Sequence, residues 1–248
     1  MSLLLALEFL TIVRLRPIRQ AENTRAIARS QAYFPAIGLV VGATLAGVDH
    51  LLAALLPPLL CNAILVVLLM VLTGGLHLDG LGDTADGVLG GHTPEQRLAI
   101  MKDPRLGSYG TLAIVALVIL KCSALTELLP PLRTAGLLAT PTLARWNVVA
   151  AMATMPYGRP DGLWPEFYRQ AWPIPALVAG ATALVIAVVT LRIVGVLLFG
   201  VGTLAALGMA FWFKQRLGGL TGDTYGAIIE VTETLLVILL VGARQLRW

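Results

Sequence analysis

Long apolar runs, parted by short polar segments rich in proline and glycine, fill most of the chain. The runs at 34–56, 59–75, 108–129, 134–155, 173–191, 193–213 and 226–242 approach the ~20 residues that a helix needs to cross a bilayer. Pro57-Pro58, Pro130-Pro131 and the stretch from Pro156 to Pro175 punctuate them. Residues 1–13 form a shorter apolar segment, expected as a helix lying at the membrane interface. The second run is short and is expected to continue into the polar segment behind it as one helix. Barrel strands would alternate apolar and polar residues over about ten positions, and the sequence lacks that alternation. The pattern predicts an all-α, polytopic helical membrane protein. It forms one domain over residues 1–248, with about seven transmembrane helices plus short cytoplasmic or interfacial ones. There is no internal repeat and no low-complexity tract.

Composition strengthens this picture. The chain is 57% hydrophobic and 13% charged, with a mean hydropathy of +0.83. Soluble domains carry about 25% charged residues, so a soluble fold would lack polar surface. The first residues show no basic n-region and no small-residue cleavage site, and no cleavable signal peptide is expected. Cys61 and Cys122 lie in or beside apolar runs and are expected as buried free thiols. The net charge of +4 does not indicate nucleic acid, because the basic residues are spread over loops. Topology explains them better. Four spans separate the polar segments before residue 108 and after residue 213, so both lie on one side. The basic arm Arg14, Arg16, Arg19, Arg25 and Arg29 joins them there. That side collects 12 of the Lys and Arg against 4 on the other. The positive-inside rule then puts both segments at the cytoplasmic face of the inner membrane.

Three aspartates, Asp79, Asp83 and Asp86, fall within eight residues of a chain with only 14 acidic side chains. On a helix the spacing i, i+4, i+7 places all three within an arc of about 60°. Packed carboxylates repel one another and lose water at a membrane surface. A divalent cation removes both penalties, and Mg²⁺ suits hard oxygen ligands shared with substrate phosphates. Gly80 and Gly87 line a neighbouring stripe where another helix or a bulky ligand can approach. His77 points nearly opposite the aspartates, where a structural histidine competes with a substrate-binding one.

Thr93-Pro94-Glu95-Gln96 has the residues of a capping box and predicts a short helix over 94–102. Behind it, Lys102 and Arg105 are natural phosphate partners. Asp103 could serve as a metal ligand or orient Arg105. A second polar segment, Leu217 to Gly226, contains Asp223, with Glu230 two turns further on the same face and Glu233 beyond. Intramembrane acids are costly unless paired, protonated or near a cation. Asp223 and Glu230 are read as functional, and Glu233 equally as a helix–helix contact. Lys121 and Arg145 could pair internally or reach a polyanionic substrate, whereas Glu127 is expected in an internal ion pair. Asp49 and His50 are expected at the interface, and Trp164, Phe167, Tyr168 and Trp172 as an aromatic belt.

Clustered acids beside Arg and Lys suit a diphosphate bound through Mg²⁺. No Ser or Cys looks like a dedicated nucleophile, so direct attack by a substrate hydroxyl is expected, with one carboxylate as general base. The segments Leu76 to Gly87, Asp103-Pro104-Arg105-Leu106-Gly107, Gly218 to Thr224 and Phe34-Pro35-Ala36-Ile37-Gly38 resemble the cobalamin synthase family, the adenosylcobinamide-GDP ribazoletransferases. Order and spacing agree over nearly the whole chain. Gly82 departs from the alanine common in that family. The resemblance implies transfer of the phospho-cobinamide moiety of adenosylcobinamide-GDP to α-ribazole or α-ribazole 5′-phosphate. GMP is released, and adenosylcobalamin or its 5′-phosphate forms. It implies Mg²⁺ as cofactor, held by Asp79, Asp83 and Asp86. Asp223 and Glu230 would complete the site or supply the base, with Asp83 as a further catalytic carboxylate, and Lys102 and Arg105 would bind the diphosphate. The implied partners are the two substrates and the lipid bilayer, with a homo-oligomer left open. A CDP-alcohol phosphotransferase is the first alternative, but it would need an Arg and a wider aspartate spacing after Asp79-Gly80. An ion-coupled transporter is the second, and it would place acids near midplanes on repeated broken helices.

Overall fold

A computed structural model describes residues 2–14, 28–158 and 173–243. It is built from helices: α1 (Ser2–Leu10), α2 (Phe34–Leu52), α3 (Pro58–Leu72), α4 (Leu76–Gly90), α5 (Pro94–Ile100), α6 (Ser108–Thr126), α7 (Leu132–Thr154), α8 (Pro173–Leu217) and α9 (Gly222–Ala243). A 3₁₀ turn, Gln31–Tyr33, leads into α2. Arg16, Arg19, Arg25, Arg159, Arg169, Arg244, Arg247 and the aromatic segment 164–172 lie outside the described residues.

Among the described residues, four helical stretches are long and apolar enough to cross a membrane. The count becomes five if α3 and α4 form one bent span. That is fewer than the seven apolar runs, for two reasons. First, α8 takes in two of the runs. Unbroken, its 45 residues would extend about 68 Å, but Arg192 leaves the helical region at φ 50° and ψ −130°. A Cβ on Gly195 would collide with the backbone of Ala187, which a continuous helix would hold far away. The arms 173–191 and 193–217 therefore fold back as a hairpin. Second, α7 carries Arg133, Thr140, Thr142, Arg145 and Asn147 and is too polar to pass on hydropathy, although 16 of its 23 residues are buried.

Helix α7 is the central post. Gly38 of α2 lies on the α7 backbone at Pro141 and Thr142, and Gly42 lies on it at Leu137 and Leu138. The register falls on one helix as it rises on the other, so the pair is antiparallel, and glycine lets the backbones meet. At the end of this contact Arg133 donates to both oxygens of Asp49, at 2.8 and 2.7 Å, and to Asn62 Oδ1 at 2.6 Å. Asp49 is thus buried in a fork-shaped ion pair, not interfacial, and four helix ends are tied there. Glu127 is likewise not inside the bundle: it sits exposed at the end of α6.

The core falls into two apolar layers. One, with Phe34, Leu81, Val148, Leu220 and Ile228, lies toward the start of α9. The other, with Leu65, Leu143, Leu191 and Leu236, lies toward Arg192. Charged side chains from α6, α7 and α9 occupy the level between them. Lys121 reaches Glu230 at 2.8 Å and Glu233 at 3.1 Å, and Arg145 pairs with the other oxygen of Glu233. Two cations balance two anions, as burial in hydrocarbon requires.

Candidate active site

The second apolar run does not continue straight into the aspartate segment. Gly74 and Gly75 take positive φ, 64° and 70°, and the chain turns 89° between α3 and α4. The Gly75 N–H bonds back to Met70 O at 2.8 Å and closes α3. Two adjacent residues in the left-handed region explain why no single helix forms. Helix α4 then lies across the end of the bundle.

Two glycines dock α4 on the start of α9. A Cβ on Gly80 would stand 2.7 Å from Asp223 O, and one on Gly226 would stand 2.9 Å from His77 O. The two polar segments, some 140 residues apart, therefore touch at one end of the bundle. The start of α9 is fixed by a reciprocal cap: Thr221 N–H donates to Thr224 Oγ1 at 2.8 Å, and Thr224 N–H donates to Thr221 Oγ1 at 3.3 Å. Asp223 sits in that first turn, half-buried. Across from it on α4, Asp79 is exposed and Asp83 half-buried.

Asp86 has a role that the sequence pattern did not reveal. Its carboxylate accepts the N–H of Gly107 at 2.7 Å and of Gly110 at 2.9 Å. Gly107 caps α6 without a side chain of its own, so Asp86 caps that helix from 21 residues upstream. A Cβ on either glycine would strike the carboxylate. The signal in the sequence was Gly107 and Gly110 ahead of an apolar run with no Ser, Thr, Asp or Asn at the cap.

The loop between α5 and α6 holds the phosphate candidates. Thr93 caps α5 by accepting the Gln96 N–H at 3.3 Å, as the motif predicts. Gln96 reaches back to His92 N–H, one residue beyond the expected partner. Buried Arg97 donates to Gly91 O and Arg216 O and straps α5 to the end of α8. Asp103 orients Arg105, accepting from its Nε at 2.9 Å and its Nη2 at 2.6 Å. The guanidinium, with help from the Arg105 backbone N–H, holds the Asp103 carboxyl down to about 2, and the pairing raises Arg105 above its usual value. Nη1 takes no part in that pair, and the side chain is 86% exposed. Lys102 is exposed nearby. A pocket of about 430 Å³ opens here, its wall including Asp86, Asp103, Arg105 and Tyr109.

The remaining candidates lie elsewhere. Glu230, Lys121 and Arg145 belong to the closed ion cluster between the core layers, 4% exposed or less. His77 is buried beneath α9 on the face away from exposed Asp79, and its charged surroundings are Arg145, Glu233 and Lys121. The structure thus sorts the predicted residues into three groups: Asp79, Asp83 and Asp223 at the α4–α9 contact; Asp86, Lys102 and Arg105 around the α5–α6 loop; and His77, Lys121, Arg145 and Glu230 inside.

Among the described residues, no three His, Cys, Asp or Glu side chains form a ready metal cluster. The donor chemistry nevertheless fits Mg²⁺, which needs only one or two carboxylates when substrate phosphates and water fill its octahedron.

Acids and an aligned guanidinium, gathered at one end of an apolar helical bundle, define a membrane-type helical protein suited to a polyanionic ligand. A family model described as cobalamin-5-phosphate synthase matches residues 2–241. A Desulforamulus reducens protein named adenosylcobinamide-GDP ribazoletransferase is 36% identical, over 99% of this chain and 98% of its own. Proteins of the same name from Stutzerimonas stutzeri, 40% identical over 96% of both chains, and Synechococcus elongatus, 38% identical over 93% and 92%, are similar as well. No solved structure matches. The chain belongs to the cobalamin-5-phosphate synthase family.

Proposed function

We propose that this protein transfers the phospho-cobinamide part of adenosylcobinamide-GDP to α-ribazole or α-ribazole 5′-phosphate, releasing GMP. The observation that carries the reading is the contact of Gly80 with the Asp223 backbone, which brings two distant acidic motifs to one end of the bundle. The full-length match to ribazoletransferases supports it and does not favour a CDP-alcohol phosphotransferase or a transporter.

In this reading the ribazole hydroxyl attacks the phosphorus that bears the cobinamide arm. The new P–O bond forms as the bond to the bridging diphosphate oxygen breaks, and GMP leaves with that electron pair. Asp223 accepts the hydroxyl proton. Arg105, held by Asp103, and Lys102 offset charge growing on the leaving phosphate. Asp79 and Asp83 would hold Mg²⁺ with substrate phosphates and water filling its other positions, while Asp86 keeps the α5–α6 loop in place beside them through its two backbone contacts. Mg²⁺ bound there would neutralise the diphosphate oxygens. Glu230, Lys121, Arg145 and His77 act from below, fixing α9 and α4 against α6 and α7.

The topology in this reading has seven crossings: α2, α3, α6, α7, the two arms of α8, and α9. The 12-to-4 charge asymmetry supports a site at the cytoplasmic face of the inner membrane. Single cysteines at Gly91 and Gly219 then react from the same side, and labelling from opposite sides would break the topology. The direct test is purified protein with adenosylcobinamide-GDP, Mg²⁺ and either α-ribazole or α-ribazole 5′-phosphate, following GMP. No GMP with either acceptor would overturn the proposal.

A further inference from the structure

The pocket beside the α5–α6 loop has two unlike walls. One is charged, with Asp86, Asp103 and Arg105; the other is apolar and aromatic, with Ile100, Leu106 and Tyr109. Tyr109 stands in the first turn of α6 and keeps 46% of its surface exposed, and Leu106 keeps 55%. At about 430 Å³ the space falls within the range of small-molecule sites. A ligand matching it has a planar apolar part joined to a phosphate.

Both substrates of the proposed reaction carry an aromatic base, and the geometry separates them. Attacking and leaving oxygens lie roughly in line across a transferred phosphorus. Asp223, the acid placed to take the attacking hydroxyl's proton, does not line this pocket; it lies across α4, against Gly80. Arg105, the cation for the departing phosphate, does line it. The departing half of the donor therefore belongs on the Arg105 side, and the acceptor on the Asp223 side.

We infer that the guanine nucleotide leaving group occupies the 100–109 pocket, with its base stacked on Tyr109. This rests on the proposed reaction for the identity of the nucleotide, and it gives the site a polarity. Stacking tolerates any planar base and needs an accessible ring face, which exposed Tyr109 supplies.

The test uses the full chain in detergent or nanodiscs. For Tyr109→Ala, the KM for adenosylcobinamide-GDP and the inhibition constant of GMP each rise about tenfold, the range lost when a base–aromatic stack is truncated. The KM for α-ribazole stays unchanged, and Tyr109→Phe stays within about twofold of the parent because the ring is kept. In parallel, irradiation with 8-azido-GMP labels the peptide containing residues 106–109, and unlabelled GMP suppresses the labelling. Unchanged GMP inhibition in Tyr109→Ala overturns the inference. So does a rise in the α-ribazole KM instead, or a lower folded yield with unchanged kinetics, which marks an interfacial anchor. A parent protein that never turns over yet is labelled at Tyr109 leaves the nucleotide pocket standing and defeats the proposed reaction.

Discussion

Asp223 and Glu230 stand on one helix, about 10 Å apart along its axis, and their surroundings are opposite. Glu230 is nearly sealed from solvent and meets Lys121 at 2.8 Å, with Glu233 and Arg145 completing a neutral set of four. Asp223 is half-buried in the first turn of α9, where its backbone meets Gly80 of the crossing helix that carries exposed Asp79 and half-buried Asp83. The difference comes from helix position. An acid deep in a span is tolerated when a neighbouring helix brings a cation to the same level. An acid in a first turn is favoured by the helix dipole and keeps an oxygen at the surface for chemistry. Acids in an apolar helix are therefore not one class, and the partner at the same depth decides which they are.

The largest expected effect tests the open region. Asp83→Asn lowers turnover by about a hundredfold or more, as loss of a ligand must exceed the 10–100-fold of an outer-shell change. Its melting temperature in detergent stays near that of the parent. EDTA stops turnover and Mg²⁺ restores it. Full activity in Asp83→Asn, or turnover in EDTA, would remove the distinction between the two regions.

Next comes the closed region. Lys121→Met leaves Glu230 buried without its cation and costs about 3–5 kcal/mol. The effect appears as a lower unfolding midpoint, with the KM of the surviving protein unchanged. A stable variant with a raised KM would instead put the cluster in contact with substrate.

A smaller effect is expected at the joint between motifs. Gly80→Ala drives a methyl into the Asp223 backbone, costing about 1–3 kcal/mol as overpacking and lowering kcat. Gly47→Ala, with open space around it, is the matched control. Equal behaviour of the two variants would show that the α4–α9 contact does not set the rate.

The smallest effect concerns pH. The Asp103 carboxyl is held down to about 2 by Arg105, below the ordinary carboxylate value near 3.9. The pair's contribution is complete above that ordinary value and is lost as pH falls through 2. The Arg105-dependent KM is therefore flat between pH 6 and 9, while Asp103→Asn raises it modestly at every pH in that window. A KM that titrates near neutrality would assign the orienting role to another group.

Much of this arrangement was legible in the sequence because it follows local rules. The break between the runs at 191 and 193 falls at the hairpin, Thr93 caps its helix, and the segments of Asp79 and Asp223, expected on one side, do meet at one end of the bundle. What escaped depends on contacts between distant residues. The 89° turn arises because Gly74 and Gly75 adopt positive φ together, which composition alone does not demand. Asp86 caps a helix whose N-cap, Gly107, lies 21 residues later, and hydrophobic period carries no sign of that. Asp49 looked interfacial until Arg133, 84 residues away, was seen to meet it.

The turn at Gly74-Gly75 has one more consequence. It makes α4 a shelf rather than a pillar, laid at 89° to α3 across the end of the bundle and seated there by glycine contacts with α9. A bulky ligand therefore need not thread between the helices to reach Asp79, whose side chain stands exposed on that shelf.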